Sequence, residues 1–211
     1  MPLKIEIYSD VVCPWCFLGK HRLEKALQSM KAPPDVEVHY RPYELNPAMP
    51  DKGVDRKKYL ESKYGPGIRG AHERLAAWGK EVGITYDFEK DQKIINSFNA
   101  HRLVWLAGKS GLEKEMVEAL FKAYFSDARD LSDKKTLAET AAGVGLDRAK
   151  VEKFLAGEEG AEEVREMEEK AYNLGIAGVP HFVFNGEAEL SGAHPVETFA
   201  AVLNQFKSQK S

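Results

Sequence analysis

The chain begins with three segments whose hydrophobic patterns differ. Apolar and polar residues alternate over residues 3–9, and this period of two predicts a β-strand. Residues 13–30 instead repeat apolar positions at helical spacing, and the Pro33-Pro34 pair that follows ends the helix. Alternation returns over residues 36–43, where we expect a second strand. A strand, a helix and a strand in this order predict a parallel pair with a right-handed crossover.

A long and mostly helical stretch separates this unit from the end of the chain. A loop rich in Pro, Asp and Gly at residues 46–53 marks the boundary, and short turns with Gly or Asp follow. The predicted helices cover residues 55–63, 70–82, 91–108, 112–125, 133–142 and 147–155. Six helices without an intervening strand predict an all-helical segment.

The end of the chain returns to mixed structure. The predicted elements are a helix over residues 161–174, strands over 181–185 and 187–190, and a closing helix over 195–207. Asn185-Gly186 between the two strands is a strong hairpin signal. We therefore predict an α/β fold in which one domain, residues 1–46 and 160–211, carries an inserted helical domain, residues 47–159.

Composition and charge narrow the class of function. The chain has 211 residues and a formal net charge of -3, and its acidic and basic residues are intermixed. It has no basic stripe, so nucleic acid is not an expected partner. No apolar run approaches the ~20 residues that cross a bilayer, so no membrane contact is expected. The N-terminus lacks the pattern of a secretory signal, and we expect a cytoplasmic protein.

The candidate catalytic residues are Cys13 and Cys16, the only two cysteines in the chain. Residues three apart share a helix face with Cβ atoms roughly 5–6 Å apart, which suits a disulfide that opens and closes. Pro14 fits the first helical turn, so Cys13 should lie at the helix start, where free N–H groups stabilise a thiolate. Cys13 is thus the predicted nucleophile, and Cys16 would resolve the mixed disulfide.

Two other interpretations of the pair remain open. Both cysteines would be inert if they served only as small buried hydrophobic residues. They would form half of a zinc site if two further ligands joined them. The chain has no second cysteine pair, and its histidines are scattered in sequence, so we expect no metal. Redox chemistry is favoured over both alternatives.

A second motif, Val179-Pro180, precedes the short strand near the end of the chain. Proline is tolerated at a strand start because its missing N–H need not enter the ladder. On base rates the bond before it is trans, since only ~5–6% of such bonds in folded proteins are cis. A cysteine pair at the front of the fold with a Val-Pro before the closing hairpin resembles the arrangement in thioredoxin folds, and this resemblance favours a cis bond.

Several blocks resemble the DsbA-like thioredoxin family, and within it the FrnE-type proteins. The blocks are Ser9-Asp10-Val11-Val12-Cys13-Pro14-Trp15-Cys16 with Gly19-Lys20, Arg41-Pro42-Tyr43-Glu44-Leu45-Asn46-Pro47, Asn96-Ser97-Phe98-Asn99-Ala100-His101-Arg102-Leu103, Gly175-Ile176-Ala177-Gly178-Val179-Pro180 and Ser191-Gly192-Ala193. The resemblance implies a thioredoxin fold with a large helical insertion, a cis bond before Pro180, and dithiol exchange.

The resemblance also assigns roles to individual residues. It implies that the Val179 backbone pairs with the substrate chain by strand addition and that Pro180 covers the sulfurs. Pro14 and Trp15 shape the site between the cysteines. His181 stands where relatives often carry an apolar residue. As a site residue it would tune the Cys13 thiolate, but the simpler interpretation is that it points away into the strand.

Three further residues have weaker claims on the site. Asp10 precedes Cys13 by three residues, and we favour a structural role in bonding loop N–H groups over proton transfer. Asn96 and His101 lie on a predicted helix of the insertion. By the resemblance, they could face the cleft above Cys13 and contact a thiol substrate.

Three functions follow from these features. The leading one is a disulfide oxidoreductase that exchanges mixed disulfides with protein or small-molecule thiols. The Cys13–Cys16 disulfide itself would carry the electrons, so no bound cofactor is expected, and glutathione is a candidate co-substrate. The second is a glutathione-dependent isomerase or transferase, like the related 2-hydroxychromene-2-carboxylate isomerases and kappa-class glutathione transferases, which usually carry Ser where Cys13 stands. The third is a non-catalytic binding or holdase module on the same fold.

Overall fold

The computed structural model describes residues 1–90 and 93–206. In chain order its regular elements are β1 (Leu3–Ser9), α1 (Pro14–Ser29), β2 (Val36–Pro42), β3 (Val54–Asp55), α2 (Arg56–Tyr64), α3 (Ile68–Glu81), β4 (Lys93–Ile94), α4 (Phe98–Gly108), α5 (Glu113–Phe121), α6 (Lys134–Gly143), α7 (Arg148–Ala156), α8 (Ala161–Asn173), β5 (His181–Phe184), β6 (Ala188–Ser191) and α9 (Val196–Gln205). A 3-10 turn follows α2, and a π-helical turn, Lys122–Ser126, follows α5. The predicted order of elements at the two ends of the chain is confirmed.

Four strands form one mixed sheet in the order β2-β1-β5-β6. β1 runs parallel to β2 and antiparallel to β5, and β6 pairs back onto β5 as the hairpin signal predicted. The central strand β1 is buried because its two neighbours and the helices cover it, and its apolar residues Leu3, Ile5 and Ile7 enter the core. The carboxyl end of β1 therefore delivers the following loop, residues 10–13, to a buried position.

The helix that carries the cysteine pair packs on α9 and on the insertion at once. Its residue Phe17 is buried and stacks on Phe121 of α5, with ring centroids 5.0 Å apart. One hydrophobic cluster thus includes side chains from the sheet, from α1 and from the helices between β2 and α8. The boundaries proposed at residues 46/47 and 159/160 stay a prediction.

One predicted helix of the insertion is wrong over residues 93–97. A helix was predicted for residues 91–108, but Lys93 and Ile94 form β4, which pairs antiparallel with β3, and the helix begins at Phe98. Positions 91–92 of that prediction, and position 207 of the closing helix, lie outside the described residues. The two-residue pairing of β3 and β4 joins segments distant in sequence, so local periodicity does not reveal it.

Over the described part of the chain, no helix combines the length and the apolar character needed to span a bilayer.

Candidate redox site around Cys13 and Cys16

Cys13 is the N-cap residue of α1. Its backbone is extended, its N–H donates to Asp10 O at 3.0 Å, and its carbonyl accepts from the N–H of Cys16 at 3.0 Å. Pro14 occupies the first helical position, where its missing N–H leaves no bond unmade. The first turn of α1 contains no acidic residue, so no carboxylate of the helix itself opposes a negative charge at Cys13.

Cys16 lies deeper than Cys13, and both are free thiols in the structure. The exposed fraction is 1% for Cys16 and 3% for Cys13, and the two side chains are hydrogen-bonded to each other. Burial and the neighbouring Cys13 raise the pKa of Cys16 well above its usual range. Both thiols are buried, and the pair is asymmetric in position because Cys13 is the N-cap of α1 whereas Cys16 lies within its first turn.

The loop before β5 closes over Cys13 from the other side. The Val179–Pro180 peptide bond is cis, and the Cys13 thiol donates to the carbonyl of Val179 at 3.7 Å. Gly19 of α1 lets this loop approach, because a Cβ there would lie 3.2 Å from Pro180 Cγ and 3.0 Å from Phe182 Cζ. The structure thus brings together Cys13, Cys16, Val179 and Pro180.

Two aromatic residues of the insertion contact the dipeptide between the cysteines. The Tyr86 hydroxyl donates to the carbonyl of Pro14 at 2.7 Å. Trp78 of α3 packs against Trp15, which is 37% exposed, with ring centroids 5.8 Å apart. Burial, with the charges of the two cysteines, raises the pKa of Tyr86, so its hydroxyl remains a donor. Neither Tyr86 nor Trp78 was identified as a site residue, because their approach is tertiary.

Asp10 organises the loop that leads into the cysteine motif. Its side chain is fully buried, and its Oδ1 and Oδ2 accept from the N–H groups of Val12 at 3.2 Å and Leu45 at 2.7 Å. It also lies 3.5 Å from Nε2 of His101. Both backbone contacts fit the loop-bonding role favoured from the sequence.

His101 belongs to a cluster of charged side chains behind this loop, all of them buried except the half-exposed Arg165. The cluster comprises Asp10, Glu44, His101, Arg165 and Glu168. The Arg165 guanidinium donates to Glu44, and to Glu168 at 2.7 Å. Three buried side-chain atoms in the described residues have no hydrogen-bond partner, and all three lie here: Glu44 Oε1, His101 Nε2 and Glu168 Oε1. Unpaired atoms gathered at one place indicate a functional or hydrated site.

Helical spacing along α8 predicts a solvated acidic face on which Arg165 pairs with Glu162, Glu166 and Glu169. These three glutamates are exposed, as the spacing predicts, but the ion pairs of Arg165 are with Glu44 and Glu168. Glu168 is 5% exposed. Burial and the charge of Glu44 raise the pKa of Glu168.

Two predicted site residues lie away from the cysteines. Asn96 donates through Nδ2 to the carbonyl of Met49 at 3.2 Å, which ties the loop before α4 to the loop after β2. His181 pairs in register with Tyr8, whose side chain lies on the sheet face opposite Ile7 and α1. Its Nε2 lies 3.2 Å from Glu189 Oε2. The structure therefore places His181 on the far face of the sheet.

Among the described residues, no three His, Cys, Asp or Glu side chains are grouped to hold a metal ion. The arrangement combines a sulfur at a helix end with a second sulfur in contact and a carbonyl above them. These groups can form a disulfide and exchange it with an incoming thiol.

Comparisons with known proteins agree with this geometry. The sequence model of the DSBA-like thioredoxin domain matches residues 4–204. The chain is 27% identical to the uncharacterized protein YwbO of Bacillus subtilis over the full length of both. A probable DsbA oxidoreductase from Streptomyces coelicolor superposes with a TM-score of 0.91 at 34% identity, covering 99% of this chain and 92% of that one. The cytosolic disulfide reductase DsbM from Pseudomonas aeruginosa, also solved with GSH, superposes with a TM-score of 0.69 at 18% identity, covering 97% and 99%.

Proposed function

Because the chain belongs to the DsbA-like thioredoxin domain family, we propose that it is a thiol–disulfide oxidoreductase that works through a reversible Cys13–Cys16 disulfide. The observation that carries the proposal is the contact between the two thiols at the N-terminus of α1, beneath the Val179 carbonyl. A sulfur in this position lies at the positive end of a helix and has a partner close enough to resolve an intermediate.

The exchange has two steps. The Cys13 thiolate attacks one sulfur of a substrate disulfide, forms a mixed disulfide and expels the other substrate sulfur as a thiolate. Cys16 then loses its proton and attacks Sγ of Cys13, so the substrate leaves as its second thiolate and the Cys13–Cys16 bond forms. Both steps are reversible, and the same site oxidises a substrate dithiol when it starts as the disulfide.

Protein and small-molecule thiols are the proposed substrates, with glutathione as a candidate for the small thiol. The exposed indole of Trp15 and the partly buried side chain of Val179 flank Cys13 and offer an apolar contact to either substrate class. The GSH complex of DsbM, a cytosolic reductase of the same fold, supports glutathione and a cytoplasmic location.

Two single variants test the proposal, since the chain has no other cysteine. Cys13→Ser should abolish the reduction of insulin disulfides and form no adduct with oxidised glutathione. Cys16→Ser should form a stable adduct at Cys13 whose mass, measured on the intact protein, equals one glutathionyl group. Wild-type activity in Cys13→Ser would overturn the proposal. Glutathione-dependent turnover of an electrophile by that variant would instead support an isomerase or transferase.

A further inference from the structure

Cys16 must gain and lose one proton in each exchange. When a substrate thiolate attacks Sγ of Cys13 in the disulfide, the S–S bond breaks and its electron pair stays on Sγ of Cys16. Burial and Cys13 raise the pKa of Cys16, so this enclosed sulfur is unfavourable as an anion. In the reverse direction, its thiol must be deprotonated before it attacks Cys13. A group able to exchange this proton is therefore needed at a buried position.

Ser9 lies beside the reacting sulfur. Its hydroxyl and the backbone N–H of Asp10 both lower the pKa of Cys16 by hydrogen bonding, against the larger effect of burial. Ser9 is itself buried, at the carboxyl end of β1. A hydroxyl donates one hydrogen bond while accepting others, whereas a backbone amide only donates. Ser9 can therefore pass a proton between Cys16 and another group.

Ser9 also lines a cavity of about 320 Å³ between β2, α4 and α5. His101 lines the same cavity, and neither cysteine does. One water occupies about 30 Å³ in the liquid, so the cavity has room for several. The cavity therefore offers Ser9 and His101 a space for water that neither sulfur lines.

His101 is the buried base beside this cavity, and Asp10 holds it. Its Nε2 lies 3.5 Å from Asp10 Oδ1, an ion-pair distance longer than an ordinary hydrogen bond, and no other described group bonds to it. Burial lowers the pKa of His101, but Asp10, followed by the charges of Glu168 and Glu44, outweighs burial and raises it above its ordinary value. The other charged or titratable side chains that line the cavity or bond to this cluster are Arg165, His39, Tyr40, Arg41, Lys109 and Glu113.

We propose that His101, positioned by Asp10, exchanges the Cys16 proton through the Ser9 hydroxyl and water in this cavity. This assignment rests on the proposed oxidoreductase function. When the disulfide opens, Ser9 gives its proton to Sγ of Cys16 and is reprotonated through water from the His101 imidazolium. When Cys16 attacks, the proton travels the same path in reverse, and His101 then equilibrates with solvent through the cavity.

A single-turnover reaction with dithiobis(nitrobenzoate) separates the two sulfur steps. The reduced protein releases one nitrothiobenzoate when Cys13 attacks the reagent and a second when Cys16 displaces the adduct from Cys13. The first release reports Cys13, and the second requires the Cys16 proton to leave. His101→Ala should slow the second release by about 100-fold, the usual size of a lost acid–base contribution, and leave the first unchanged.

Rescue and a matched control distinguish proton transfer from a structural effect. Imidazole added to His101→Ala should restore the second release in proportion to its neutral form, because the truncated side chain leaves space in an existing cavity. Ser9→Ala should also slow the second release, and added imidazole should not restore its rate. His39→Ala, which alters the same cavity outside the relay, should keep the wild-type rate and pH profile.

Different releases of nitrothiobenzoate test the proton relay and the oxidoreductase function. Wild-type second-release rates in both His101→Ala and Ser9→Ala would overturn the relay while leaving the oxidoreductase intact. A slow second release that imidazole does not restore would also overturn it and assign His101 to folding alone. Absence of the first release in the wild type would overturn the oxidoreductase function itself.

Discussion

Trp78 of the helical insertion packs against Trp15, the residue that precedes Cys16, with ring centroids 5.8 Å apart. The guanidinium carbon of Arg22 lies 5.4 Å from the Trp78 ring on the same side of α1. The insertion therefore contacts the redox motif directly, and the position of α3 affects how much of Trp15 a substrate can touch.

Removing this ring should expose Trp15. Trp78→Ala loses the aromatic pair and the Arg22 contact, and we expect the free energy of unfolding to fall by about 2 kcal/mol. Acrylamide should quench the remaining tryptophan fluorescence more strongly, because Trp15 gains solvent contact. Trp78→Phe keeps a ring at the same place and is the control. Equal quenching in Trp78→Ala and the wild type would show that α3 does not shield Trp15.

Gly160, the N-cap residue of α8, should not tolerate a side chain. Its φ is +77°, and a Cβ would lie 2.7 Å from Cε3 of Trp105. Gly160→Ala should cost about 3 kcal/mol, from the left-handed backbone and from overpacking together. Gly175 has nearly the same φ, +76°, with nothing within 4 Å, so Gly175→Ala should cost only about 1 kcal/mol. Chemical denaturation of both variants measures the difference, and equal losses would exclude the Trp105 clash.

The two ends of the fold and the cysteine motif were predictable because their signals are local. Alternation identified β1 and β2, helical spacing identified α1, and Pro14 fixed the helix start next to Cys13. The family resemblance then supplied the loop at Val179, which no local pattern connects to α1.

What the sequence did not reveal depends on contacts between distant segments. The helix predicted for residues 91–108 begins only at Phe98, because Lys93 and Ile94 pair with a strand after β2. Arg165 pairs with one acidic neighbour at helical spacing, Glu168, but its other partner, Glu44, comes from the loop after β2. Side-chain charge and spacing alone could not reveal this tertiary partner.

Arg165 pairs with Glu44 and Glu168, two buried carboxylates whose charged forms are destabilised by the loss of water around them. Arg165→Met would leave Glu44 and Glu168 without a cation, and we expect a loss of about 2–4 kcal/mol near neutral pH, limited because the guanidinium is half exposed. Arg148 bridges Glu139 and Glu152 on the surface, where ion pairs contribute little, so Arg148→Met is the matched control and should change stability only slightly.

The loss in Arg165→Met should depend on pH with a defined sign. The folded pKa of Glu168 is raised by burial and by Glu44, above the unfolded value of 4.5. The stability that Glu168 contributes is therefore fully present below pH 4.5, and it is lost as the pH rises through the folded pKa. Without Arg165 the pKa of Glu168 is raised further. The stability of the variant should therefore approach that of the wild type near about pH 4, where this carboxyl is protonated. A loss independent of pH would contradict the buried carboxylate pair.

Glu118 of α5 should stabilise the fold with the opposite pH dependence. It contacts Lys20 of α1 at 2.6 Å and His21 at 3.1 Å, and these two residues outweigh burial and lower the pKa of Glu118 from 4.5 to about 2. A carboxyl with a lowered folded pKa adds stability above its unfolded value and loses it as the pH falls through the folded one.

Glu118→Gln should therefore lose stability near neutral pH and match the wild type at low pH. The full shift corresponds to about 3 kcal/mol, and since the side chain is 38% exposed, solvent screening reduces the expected loss to about 1 kcal/mol. The difference should shrink as the pH falls from about 5 toward about 2, when denaturant midpoints are measured at constant ionic strength. Glu115→Gln, an exposed change on the same helix, is the control and should show no such trend. If the two variants gave parallel curves, the contacts to Lys20 and His21 would contribute nothing to stability.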